Sequence, residues 1–179
     1  MTPLRLSHTW SIRLYIGFFL LSLVYIALYV VQNYTQYVIP RGLQVNGIIL
    51  GGAIATAVGS ILGLFFGKKV TSFVPAYCVY LIFLATTAYL LIVTNGTASL
   101  FIAVWTLLVF VSAVFGAYGW LPVLFALGSY LTSVYLGEWL DPQTIIVTVI
   151  STVVPLIAGL VVWREAPGAE DVSQKNVKN

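Results

Sequence analysis

Six long apolar runs alternate along the chain with short polar segments, at approximately 11–31, 47–67, 73–94, 99–117, 120–138 and 144–163. A helix rises about 1.5 Å per residue and a bilayer's hydrocarbon core is about 30 Å thick, so a spanning helix needs about 20 apolar residues. Each run is close to that length. The runs are apolar on every face, whereas a transmembrane strand alternates polar and apolar residues over about ten positions. The pattern predicts an all-α integral membrane bundle of six transmembrane helices.

The polar segments refine the boundaries. Residues 99–138 are too long for a single span, and Gly116, Gly119 and Pro122 mark a break. A tight turn at Tyr118-Gly119 is expected there, with Pro122 tolerated early in the next helix. Asp141 is placed to cap the sixth helix, with Pro142 at its first position. The first run is followed by Gln32-Asn33-Tyr34-Thr35 rather than a small-residue cleavage site, so it reads as a retained helix and not a secretory signal. The chain then divides into a cytoplasmic N-terminal segment (1–10), a transmembrane domain (11–163) and a cytoplasmic tail (164–179).

Charge decides orientation. With the N-terminus inside, Arg5, Arg13, Lys68, Lys69, Arg164, Lys175 and Lys178 are all cytoplasmic and only Arg41 is outside. Trp10, Trp120 and Trp163 then share the inner interface, where indole rings prefer to lie. An even number of spans returns the C-terminus to the same side, so the bundle is expected in the cell membrane as N-in/C-in. Asn33-Tyr34-Thr35 and Asn95-Gly96-Thr97 match the glycosylation pattern on the outer side; in a threonine-bearing loop this match also arises by chance.

The most specific motif is on the second span. Gly47, Gly51, Ala55, Gly59, Gly63 and Gly67 recur at every fourth position, a ridge of small residues along one helix. Helices in lipid gain nothing hydrophobic by associating, so close packing between small residues carries the interaction. Ser129, Ser133 and Gly137 repeat the spacing on the fifth span and are a candidate partner ridge. The ridge reads as packing within this bundle, as a contact surface for another subunit, in a homo-oligomer or with a partner protein, or as a sliding face in a moving bundle. Gly59→Leu is predicted to disrupt the bundle or its assembly.

Pro155 lies mid-span in the sixth helix. It leaves the carbonyl of Ser151 without its usual donor, which makes Ser151 and Pro155 either a static kink or a hinge. Tyr15, Phe18, Ser22, Tyr25 and Tyr29 form a largely aromatic stripe on span one, suited to packing, to facing lipid, or to lining a ligand pocket. Tyr80, Thr86, Thr87, Ser112, Thr132 and Thr148 are the mid-membrane polar groups. They suit hydrogen bonds within their own helices, or a pocket for a small uncharged ligand. Glu138 and Asp141 sit at the outer rim as capping or solvated groups, or in a weak cation-binding or recognition role. Cys78 reads as a small core filler rather than a lipidated or reactive thiol.

Composition then narrows the chemistry. Of 179 residues, 60% are hydrophobic and 7% charged, too few polar side chains to cover a water-exposed domain. The basic residues mark membrane boundaries and form no clustered face, so no nucleic-acid partner is expected. With one cysteine and one histidine, His8, no disulfide, paired-histidine haem or cysteine metal site is expected. No span interior holds an Asp, Glu, Lys, Arg or His, the usual marks of proton relays and ion-coupled transport. Intramembrane hydrolysis needs a serine–histidine pair, an aspartate pair or a metal. The reading is a non-enzymatic protein without a cofactor.

In general layout the six spans, followed by Trp163-Arg164-Glu165 and the segment 166–179, resemble the multi-pass N-terminal sensor regions of bacterial histidine kinases and diguanylate cyclases. That resemblance implies signal relay through a cytoplasmic helix, either to an output domain, the chain then being a fragment of a longer protein, or to a partner protein. Six helices with both termini inside also look like the substrate-capture components of energy-coupling-factor vitamin transporters. Those subunits dock their partner through a small-residue element on the first helix, whereas the small ridge here lies on span two. This second resemblance implies a vitamin-like ligand.

Overall fold

The computed structural model describes residues 8–35, 43–66, 73–94, 101–136 and 142–164. Among these there is no strand. Six helices follow one another: α1 (His8–Tyr34), α2 (Gly47–Phe66), α3 (Val74–Val93), α4 (Ile102–Ser112, running into a 3-10 turn at Ala113–Phe115), α5 (Ala117–Leu136) and α6 (Pro142–Arg164). Five of them, all but α4, are long and apolar enough to cross a membrane. The chain is therefore a multi-pass helical bundle suited to a bilayer.

α4 departs from the expected span of 99–117. The apolar helix Ile102–Phe115, with its final turn in 3-10 form, rises roughly 22 Å, short of the ~30 Å hydrocarbon core. The turn also lies earlier than expected. Gly116 adopts φ 58°, a conformation that residues with a Cβ disfavour. Tyr118 and Gly119 are helical, in the first turn of α5. A Cβ on Gly119 would lie 2.0 Å from the Ser112 carbonyl oxygen, so glycine is needed there for close approach rather than for turning.

Local chemistry explains several helix starts. Asn46 precedes α2, and its Oδ1 accepts the Ile49 N–H at 3.0 Å, satisfying a free donor of the first turn. Pro75 sits in the first turn of α3, where a missing N–H costs nothing. α6 begins at Pro142, as the sequence suggests; the expected cap, Asp141, lies outside the described residues. Pro122 falls inside α5 and deprives the Tyr118 carbonyl of its helical donor. The Tyr77 hydroxyl from α3 supplies one instead, at 2.9 Å.

The helices run up and down. Near one face of the bundle, Tyr15 of α1 meets Gly63 of α2, Tyr77 of α3 meets Tyr118 of α5, and Gly159 of α6 meets Phe110 and Ala113 at the end of α4. Near the other face, Gln32 of α1 accepts the Val45 N–H before α2, and Asn46 donates to Tyr89 of α3. The beginning of α1 and the end of α6 thus share one face. α3 is the centre, packed on α2, α1, α5 and α4, while α6 packs chiefly on α4 and its 3-10 turn.

A connected column of aromatic rings runs through the core and ends at the exposed Tyr118. Tyr118, Phe73, Tyr77, Phe115, Tyr80, Phe18, Phe83, Tyr25 and Phe101 touch in sequence, with centroids 4.9 to 6.4 Å apart. These are separations at which rings attract beyond simple burial. The span-one stripe supplies part of it: Tyr15, Phe18, Ser22 and Tyr25 are buried, and Tyr29 is half-buried.

Candidate functional site

The small-residue ridge does not stay on one face. Each residue of an α-helix turns about 100°, so a step of four drifts by about 40°, and four such steps by about 160°. Gly47, Gly51 and Ala55 are accordingly exposed, whereas Gly59 and Gly63 are half-buried; Gly67 lies outside the described residues. A Cβ at Gly47 or Gly51 would meet nothing within 4 Å. At Gly59 it would come within 3.0 Å of Val79, and at Gly63 within 2.3 Å of the Tyr15 ring.

The inward face of α2 is Ile49, Ala53, Thr56, Ala57 and Ser60. Gly52, outside the four-residue repeat, makes a closer approach than most ridge members: its Cβ would lie 2.2 Å from Thr86 Oγ1. Its spacing to Thr56, Gly59 and Gly63, at four, seven and eleven residues, is the helical signal that marks this inward edge.

On α5, Ser129 is exposed and Ser133 half-buried, and Gly137 lies outside the described residues. Both hydroxyls donate to their own helix, Ser129 to Phe125 O and Ser133 to Ser129 O, each at 2.9 Å. The main neighbours of α2 are α1 and α3, and the main neighbour of α5 is α3. The two ridges therefore do not form a principal seam with each other; α3 stands between them.

Pro155 is buried, with a fixed contact to α4 on either side. One turn before it, Trp105 Nε1 donates to Thr152 Oγ1 at 3.1 Å, and Thr152 donates to the Thr148 carbonyl at 2.8 Å. One turn after it, a Cβ on Gly159 would lie 2.7 Å from Phe110 O. Bending at Ser151–Pro155 would have to open one of these contacts.

The polar groups of the core are divided. Thr86, Ser112 and Thr132 bond to their own helices. Tyr25 and Thr87 join α1 to α3 at 3.1 Å. Ser60 Oγ, Thr148 Oγ1 and Trp120 Nε1 are buried and make no hydrogen bond among the described residues. Cys78, expected in the core, is exposed on α3. Its helix buries Ala76, Val79 and Tyr80 instead, which leaves position 78 on the outward side. Glu138 and Asp141 lie outside the described residues.

Among the described residues no three of His, Cys, Asp and Glu come together as a metal site would require. Neither a family model, nor a curated protein, nor a solved structure matches this chain.

Proposed function

We propose that the chain is a non-enzymatic, membrane-embedded interaction module that relays to a cytoplasmic partner or output domain, with both termini in the cytoplasm. The observation that carries the reading is the outward half of the α2 ridge. Gly47, Gly51 and Ala55 face away from the bundle with open space above the two glycines. Small residues on a lipid-facing helix allow another helix to approach closely. The ring-filled core supports a packing role for the interior, and α6 leads toward the C-terminal tail on the face where α1 begins.

The test compares neighbouring glycines. Gly51→Leu is expected to leave the thermal stability of the detergent-solubilised bundle unchanged and to abolish its assembly, read by light scattering and cross-linking in membranes. Gly52→Leu is expected to disrupt the fold itself. Assembly unchanged in folded Gly51→Leu would sink the reading. A periplasm-active reporter fused after Asn179 checks the topology, since activity there contradicts a cytoplasmic C-terminus.

A second reading, a small-molecule-binding subunit of a transporter for a vitamin-like uncharged ligand, is favoured by the unbonded buried hydroxyls of Ser60 and Thr148. A ligand co-purifying with the wild-type protein and lost from Thr148→Val would support it over the first.

A further inference from the structure

Arg13 is exposed on α1, and its guanidinium carbon lies 5.2 Å from the centre of the Trp10 ring. It stands two residues before Tyr15, which packs into α2, and so points about 200° round the helix, away from the bundle. From Arg13 the outward side of α1 continues through Ile16, Leu20, Val24 and Val31, all exposed and aliphatic. Eighteen residues of helix separate Arg13 from Val31, about 27 Å, close to the thickness of a hydrocarbon core. The guanidinium therefore sits where the apolar layer ends and the headgroups begin. The described residues contain no carboxylate to face it.

We propose that Arg13, steadied by the face of Trp10, is a binding site for the phosphate of an anionic phospholipid. The indole ring face attracts the guanidinium carbon above it and so favours this position of the cation. The edge N–H groups remain to form two parallel bonds to phosphate oxygens, a geometry that lysine does not offer. A zwitterionic headgroup carries the same phosphate, but its ammonium opposes the arginine, so net anionic lipids bind better. The site anchors α1 at a fixed depth.

The full chain is titrated in detergent with dioleoylphosphatidylglycerol, dioleoylphosphatidylcholine or inorganic phosphate, and bound species are counted by native mass spectrometry. The wild type is expected to prefer the first phosphatidylglycerol over phosphatidylcholine by about fivefold, the effect of one basic residue at an anionic surface. Arg13→Gln lowers that preference, Arg13→Lys keeps more of it, and Trp10→Leu lowers it by less than Arg13→Gln does. Circular dichroism confirms that the variants fold. An undiminished preference in Arg13→Gln overturns the proposal. So does competition by inorganic phosphate at equal concentration, which would make this a free-anion site. A shift of oligomeric state in Arg13→Gln without a change in lipid binding would assign the arginine to a second copy and overturn it as well.

Discussion

α2 and α6 both turn an apolar face away from the bundle, but they build it from different shapes. On α6 the large outward residues are Ile146, Val149, Ile150, Val153, Val154, Ile157, Val161 and Val162, all branched, with Ala158 the one small apolar residue exposed among them. On α2 the outward Ile48, Ile54, Val58 and Leu62 are interrupted by Gly47, Gly51 and Ala55. In water the two faces would be equally driven to hide. In lipid hydrophobicity does not separate them, and only how closely another backbone can approach does. The α6 face suits acyl chains, and the α2 face suits another helix. Inside the bundle both helices bring glycines against a neighbour: Gly52 and Gly63 of α2 meet side chains, and Gly159 of α6 meets the Phe110 backbone.

That contrast can be broken most forcefully from the inside. Gly159→Val is expected to separate α6 from α4, with a loss on the order of 2 kcal/mol from overpacking and a marked fall in thermal midpoint. A stable Gly159→Val bundle would show that the α4–α6 contact yields easily. Trp105→Phe removes the indole donor to Thr152 one turn from Pro155, and about 1 kcal/mol or less is expected in a membrane interior. Chemical denaturation of the two proteins side by side measures it.

Ser60→Ala should act in the opposite direction. Removing a buried hydroxyl with no partner is expected to raise stability by about 1 kcal/mol. A fall instead would mean that the hydroxyl is bonded in the membrane and would strengthen the ligand-binding reading. The smallest effect belongs to the outer face of α6, where Val154→Leu is expected to alter neither the thermal midpoint nor the assembly state. If Val154→Leu changes assembly as strongly as Gly51→Leu, the distinction between the two outer faces fails.

Much of the fold was legible because the lipid phase tolerates so few backbone solutions. Every N–H and C=O must be paired within the segment, so a run of about 20 apolar residues reads directly as helix. The five long helices follow from that, and Gly116 was among the residues that marked the break before α5. Its exact form was less legible: Gly116, Gly119 and Pro122 all interrupt the pattern. Gly116 supplies the positive φ, Gly119 the close contact with Ser112, and Pro122 the carbonyl that Tyr77 takes up.

The ridge teaches a similar lesson in more detail. The four-residue spacing correctly marks a helix on which close approaches are available, but 3.6 residues per turn makes the line wind from the outside of the bundle at Gly47 to the inside at Gly63. Gly52, off the repeat, joins the inward edge because α3 brings Thr86 opposite it. Cys78 shows the same limit. Its small apolar character fits a core, but its angular position on α3 is outward, and only the packing partners of α3 reveal that.

By itself, then, the amino-acid order determined that this chain is a helical membrane bundle with an uncharged interior, because segment length, apolarity and the position of charges are local properties. Which residues face one another was decided by tertiary structure alone. A helix apolar all round carries little amphipathic record of its buried side, and whether a glycine is a contact or an open surface depends on the helix that arrives beside it.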